Sequence, residues 1–151
     1  MAFKDYLDRK HEDIKQPPLL PVGTYLAKVS KQPESDDIND DLEKLTFIFQ
    51  VINAVDIPDE AALEEYGNVA GAFIRHEFLF NKSPEEEAGN ERTVNNLKGF
   101  LERLDAFEPG MSLGEALANS VGTSCLVEVR HDQDKRDPEK FYLRVARTYA
   151  E

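Results

Sequence analysis

The chain has 151 residues, with 30 Asp and Glu against 18 Lys and Arg, a formal net charge of −12 and a pI near 4.7. That length predicts one domain that buries roughly two-thirds of its unfolded surface without a metal or disulfide staple. The charge excludes a uniformly basic nucleic-acid binder, though not a basic face on an acidic body, and 40% apolar residues, with nine Phe and five Tyr, exclude general disorder.

The one cysteine, Cys125, permits no internal disulfide and no Cys-based zinc site. Its setting, Cys125-Leu126-Val127-Glu128-Val129, is that of a small core residue rather than a reactive thiol. The opening residues carry no apolar run of leader length, and no segment approaches the ~18 apolar residues of a membrane span. The expectation is a soluble, cytoplasmic protein with no membrane association. No repeat of solenoid period is present.

Residues 1–18 read as an N-terminal helix or arm, with Phe3, Leu7 and Ile14 on one helical face, ended by Pro17-Pro18. Residues 19–151 read as a single domain. Its first strand is Gly23–Lys31, followed by an acidic loop from Pro33 to Asp41. A long strand covers Leu42–Val55, with Leu45, Phe47, Phe49 and Val51 on one face and Lys44, Thr46, Ile48 and Gln50 on the other. The acidic stretch Asp56–Tyr66 has room for a short helix. Asn68–Phe80 is a third strand, with Ile74, His76, Phe78 and Phe80 opposite Phe73, Arg75, Glu77 and Leu79.

The period then changes. Val94, Leu97, Phe100, Leu101 and Leu104 follow helical spacing, and Pro109-Gly110 ends that helix. Ser112 and Glu115 fit a capping box for a second, short helix that uses Leu113, Ala116, Leu117 and Val121. Strands Ser124–His131 and Lys140–Thr148 close the chain around a charged loop at 132–139. Five strands with helices between the third and fourth predict a mainly β, α+β fold: a five-stranded barrel of the oligonucleotide/oligosaccharide-binding (OB) type. A generic small sheet with two packed helices is the competing architecture.

No catalytic signature is present: no G-x-x-x-x-G-K-[ST], no H-E-x-x-H and no G-x-S-x-G. His11, His76 and His131 lie in separate segments. His131 with Asp132 and Asp134 has metal-binding residue types, but a solvated hairpin explains them better. Asp37–Asp41 resembles the start of a calcium loop, yet Leu42 stands where that loop needs glycine. The reading is a non-enzymatic protein with no metal and no cofactor.

The basic residues are uneven. Between Arg130 and Arg147 six bases against four acids leave +2 in a chain of −12. On the last strand Tyr142 and Arg144 share a face; on the strand before it Arg130 lies opposite the core positions Val127 and Val129. Exposed rings and cations on strands suit single-stranded nucleic acid, where rings stack on bases and cations track phosphates. Tyr142, Arg144, Arg130, Arg75, Lys44 and Lys28 are the candidate nucleic-acid-binding residues. The same alternation also describes a plain solvent face.

The run Leu20-Pro21-Val22-Gly23-Thr24-Tyr25-Leu26-Ala27-Lys28-Val29 and the strand Leu45–Val51 open a series that continues through Ile74–Phe80, Asn95–Leu101, Gly122–Val129 and Tyr142–Val145. In that order they resemble a family of small phage-encoded proteins, similar to phage single-stranded DNA-binding proteins of replication and recombination modules. The resemblance implies an OB-type barrel that coats single strands. Many replication-type binders end in an acidic tail; this sequence ends at Glu151 with its acid in internal loops, which argues against tail-mediated recruitment.

The expected function is therefore a phage single-stranded DNA-binding protein that works with phage or host replication and recombination proteins in the host cytoplasm, with a homo-oligomer left open. The alternatives are an acidic adaptor or inhibitor docking on a basic protein, favoured by the pI, or a structural virion component.

Overall fold

The computed structural model describes residues 2–11 and 17–151. Ile14, the third position of the expected N-terminal stripe, lies outside them. Phe3–Tyr6 form a single 3-10 turn, and Phe3, Tyr6 and Leu7 are all exposed.

The fold is α+β and mainly β, built on an antiparallel sheet. Its strands are β1 (Gly23–Val29), β2 (Glu34–Asp37), β3 (Leu42–Asp56), β4 (Phe73–Asn81), β5 (Ser124–Gln133) and β6 (Phe141–Tyr149). Helix α1 (Glu60–Tyr66) lies between β3 and β4; α2 (Glu87–Arg103) and α3 (Leu113–Asn119) lie between β4 and β5. The Asp59 carboxylate caps α1 by accepting from Ala62 N at 3.1 Å, and Ser112 Oγ caps α3 by accepting from Glu115 N at 3.2 Å.

The long β3 organises the sheet. One edge pairs with β4 along Leu42–Gln50. The other pairs with β1 over Phe49–Asp56 and with β2 over Glu43–Thr46, so β1 and β2 run in line. β5 adds to β1, and β6 to β5, giving the order β4-β3-β1-β5-β6.

Alternation sets the core. Tyr25, Ala27 and Val29 of β1, Leu45, Phe47, Phe49 and Val51 of β3, and Cys125, Val127 and Val129 of β5 are buried on one face. Helix α2 turns Leu97, Phe100 and Leu101 onto that face. The Phe100 ring meets Phe47 at 4.8 Å, Phe78 at 5.5 Å and Phe49 at 5.8 Å between centroids. Each such ring contributes roughly 1.5–3 kcal/mol by burial. Cys125 is part of this core, and burial pushes its thiol up to about 12, as suits a packing residue.

Sequence expectations are corrected at four places in the chain. First, the described residues form six strands, because β2 forms inside the stretch read as an acidic loop. Its four residues are all exposed, so no apolar alternation marks it. It is held by backbone pairing to β3 and by a turn in which Asn39 Oδ1 accepts from the amides of Asp41 and Leu42. Second, β4 begins at Phe73, since Val69–Ala72 form a turn with Gly71 at φ 88°. Third, Val121 lies beyond α3 and is exposed, and β5 continues to Gln133 through residues read as loop.

The fourth correction concerns closure. β4 and β6 come within 8 Å at Cα, but among the described residues no ladder joins them, so the sheet is open rather than a closed five-stranded barrel. α2 packs on β4 and contacts β6 at this seam.

Candidate nucleic-acid interface

The six candidate residues fall into two groups. Lys28, Lys44 and Arg75 sit on the outer face of β1, β3 and β4. Arg130, Arg144 and Tyr142 sit on the β5–β6 hairpin, which runs on past Gly23, the first residue of β1. Lys28 pairs across to Ser124, six residues before Arg130, so the groups are separated by about 20 Å at ~3.3 Å per residue.

In the hairpin, Arg130 lies directly opposite Arg144, and Asp132 opposite Tyr142. Each of the three candidate side chains has an acidic partner. Arg144 Nε donates to Asp132 Oδ2 at 2.6 Å, and Arg130 Nη2 lies 3.8 Å from Glu128 Oε2. The Tyr142 hydroxyl donates to Asp134 Oδ2 at 2.5 Å, and Lys140 Nζ stands 5.3 Å from the centre of the Tyr142 ring. The hydroxyl bond, then the amides of Arg136 and Asp137, hold the Asp134 carboxyl below its ordinary value. Of the bases counted between Arg130 and Arg147, the two candidates Arg130 and Arg144 are thus each paired with a carboxylate.

The metal reading of this hairpin separates in the same way. His131 Nε2 lies 2.6 Å from Leu20 O, while Asp132 and Asp134 are engaged with Arg144 and Tyr142. Among the described residues no group of three or more His, Cys, Asp or Glu is placed to hold a metal ion.

The outer face of β1, β3 and β4 is different. The register sets Lys28, Gln50 and Phe73 in one row across three strands, with Ile48 and Arg75 in the next. Residues directly opposite one another lie ~4.5–5.5 Å apart at Cβ. Lys28 and Arg75 are exposed and make no ion pair or side-chain hydrogen bond with the described residues. Phe73, two residues before Arg75 and at the far end of the row from Lys28, is 63% exposed. Lys44, further along, is half-buried with its Nζ 3.6 Å from Glu77 Oε1.

Phe73 is the functional candidate that sequence reasoning missed. Its parity with Arg75 was legible, but its exposure was not, because a phenylalanine at the start of an aromatic strand reads as core. Only the pairing to Gln50 at the sheet's outer face leaves its ring in solvent.

No protein-family model and no curated protein matches this chain. Among the described residues no helix is long and apolar enough to cross a membrane.

Proposed function

We propose that this protein binds single-stranded DNA on the outer face of β1, β3 and β4. Phe73 stacks on a base, and Arg75 further along β4 and Lys28 across the sheet hold phosphates. The carrying observation is an exposed ring with Arg75 two residues along its own strand and Lys28 two strands across the same face, two cations that no described carboxylate neutralises. Stacking on one aromatic contributes roughly 1–3 kcal/mol per base and tolerates any sequence.

The strand order supports the reading. β4-β3-β1-β5-β6, with helices between β4 and β5, is the order of an OB-type barrel left open between its third and fifth strands, with β2 as an extension of the first. In such barrels the face of the second and third strands binds oligonucleotides; here those strands are β3 and β4. This is also the function implied by the resemblance to phage single-stranded DNA-binding proteins. It makes the protein a non-enzymatic component of replication or recombination in the host cytoplasm. Tyr142, Arg144 and Arg130 are secondary, since binding there first breaks their bonds to acids. The net charge of −12 repels a strand elsewhere on the surface, so binding is weak and salt-sensitive.

Titration of a thymidine oligonucleotide at several salt concentrations tests the reading. Log affinity should fall linearly with log salt, with a slope on the order of 1.4 for two phosphates. Absence of binding at low salt overturns it and leaves the acidic-adaptor reading, for which the exposed run Glu34–Asp37 is the docking candidate.

A further inference from the structure

We propose that the cleft at the open seam between β4, β6 and α2 is a second site, one that binds a phosphate monoester of mononucleotide size. The cleft encloses about 540 Å³, within the usual range of small-ligand sites. Two arginines enter it from different elements, Arg103 from the last turn of α2 and Arg147 from β6. Neither makes an ion pair with a described carboxylate.

Arg103 is held in place. Its Nε donates to Thr148 Oγ1 at 3.0 Å, which leaves the two terminal nitrogens for a ligand. Gly99, one turn earlier, makes room for the guanidinium, since a Cβ there would stand 3.3 Å from Nη1. A planar guanidinium anchored through Nε suits bidentate recognition of a phosphate.

Arg147 reaches the seam because of a bulge. Val129 pairs with Val145 but Glu128 pairs with Arg147, so Ala146 is an extra residue in β6. Strict alternation from Leu143 and Val145 would turn Arg147 inward. The bulge instead buries Thr148 and leaves Arg147 exposed.

The remaining lining is neutral and polar. Asn95 and Asn96 of α2 offer amide donors and acceptors, and burial, then the charge of Arg103, lowers His76 to about 4, so its imidazole is uncharged at neutral pH. The one carboxylate in the wall, Glu77, is engaged by Lys44 at 3.6 Å. In a chain where acids outnumber bases 30 to 18, this cleft has the opposite balance. The phosphate belongs either to a free nucleotide or to the 5′ end of a strand.

The test is calorimetric titration of the full chain with dTMP, thymidine and inorganic phosphate. We expect saturable binding of dTMP, competition by inorganic phosphate, and thymidine weaker by about tenfold or more. Arg147→Gln, at an exposed position, and Arg103→Gln, checked for folding by its melting curve, should each weaken dTMP about tenfold. Phe73→Ala should leave dTMP binding unchanged, which separates this site from the strand-binding face. Displacement of dTMP by a 5′-phosphorylated but not a 5′-hydroxyl oligonucleotide assigns the strand end; displacement by neither assigns the free nucleotide. Both outcomes retain the site. No dTMP binding at millimolar concentration, equal binding of thymidine, or affinity unchanged in both arginine variants overturns it.

Discussion

Arg103 Nε donates to Thr148 Oγ1 at 3.0 Å, linking the last turn of α2 to the free edge strand β6 across a seam that no backbone ladder closes among the described residues. A side-chain bond here takes the place of strand pairing. Thr148→Val keeps the buried shape and removes the acceptor. Arg103 is exposed and regains water, so the cost should be about 1 kcal/mol, at the neutral hydrogen-bond level. Urea unfolding measures it; an unchanged midpoint would show that the bond does not hold the seam.

His76 makes stability depend on pH. Its ring packs edge-on against Phe78 at 4.7 Å and Phe100 at 5.1 Å. Burial, with Arg103 adding to it, lowers its pKa from 6.5 to about 4 in the folded protein. Between those values the unfolded chain takes up a proton that the native chain does not. Stability therefore is fully present above pH 6.5, falls as pH drops toward 4, and has no further dependence on this group below that. His76→Gln should flatten the difference in stability between pH 7 and pH 4.5, measured by denaturant midpoints. A profile parallel to the parent's would remove His76 as the cause.

The Tyr142 hydroxyl is the main reason that the Asp134 carboxyl titrates low. Tyr142→Phe should therefore raise the Asp134 pKa toward its ordinary value, read from the carboxyl carbon shift by NMR. The ring remains in this variant, so any loss of oligonucleotide binding would be due to the hairpin's hydrogen bond rather than to stacking.

The two groups of cations make opposite predictions for binding. Arg75→Ala should reduce the salt slope by about 0.7, the loss of one single-strand phosphate contact. Phe73→Ala should weaken binding by roughly 1–3 kcal/mol with the slope retained. Arg144→Ala leaves Asp132 unpaired and should change the slope little, because its charge is already answered at 2.6 Å. A larger effect from Arg144 than from Arg75 would move the interface to the hairpin.

Gly23 tests the start of β1. Its φ is 155°, and a Cβ there would lie 2.5 Å from the Asp56 carbonyl oxygen and 2.6 Å from Ile57 Cδ1. The first obstacle is backbone and cannot turn aside. Gly23→Ala should cost about 1–3 kcal/mol, as overpacking does, measured as a lowered thermal midpoint. An unchanged midpoint would mean that β1 and β3 separate there without cost.

Which face of each long strand turns inward was legible in the residue alternation alone. Apolar residues at every second position of β1, β3 and β5 have one way to escape water, and the helical spacing of Leu97, Phe100 and Leu101 likewise sends α2 to the core. The alternation also placed Lys28 and Arg75 on the outer face. Whatever depends on pairing between distant segments was fixed only by the folded sheet. β2 exists because β3 offers an edge, although its residues Glu34, Ser35, Asp36 and Asp37 carry no strand pattern. The charge of the β5–β6 hairpin was legible as +2, but Asp132 and Asp134 meet Arg144 and Tyr142 through cross-strand and turn geometry that a count along the chain does not contain. The bulge at Ala146 breaks the alternation by one residue, and with it the fate of Arg147 and Thr148. Local pattern governs burial because water acts on each residue in turn; register, bulges and ion pairs are settled only when two strands meet.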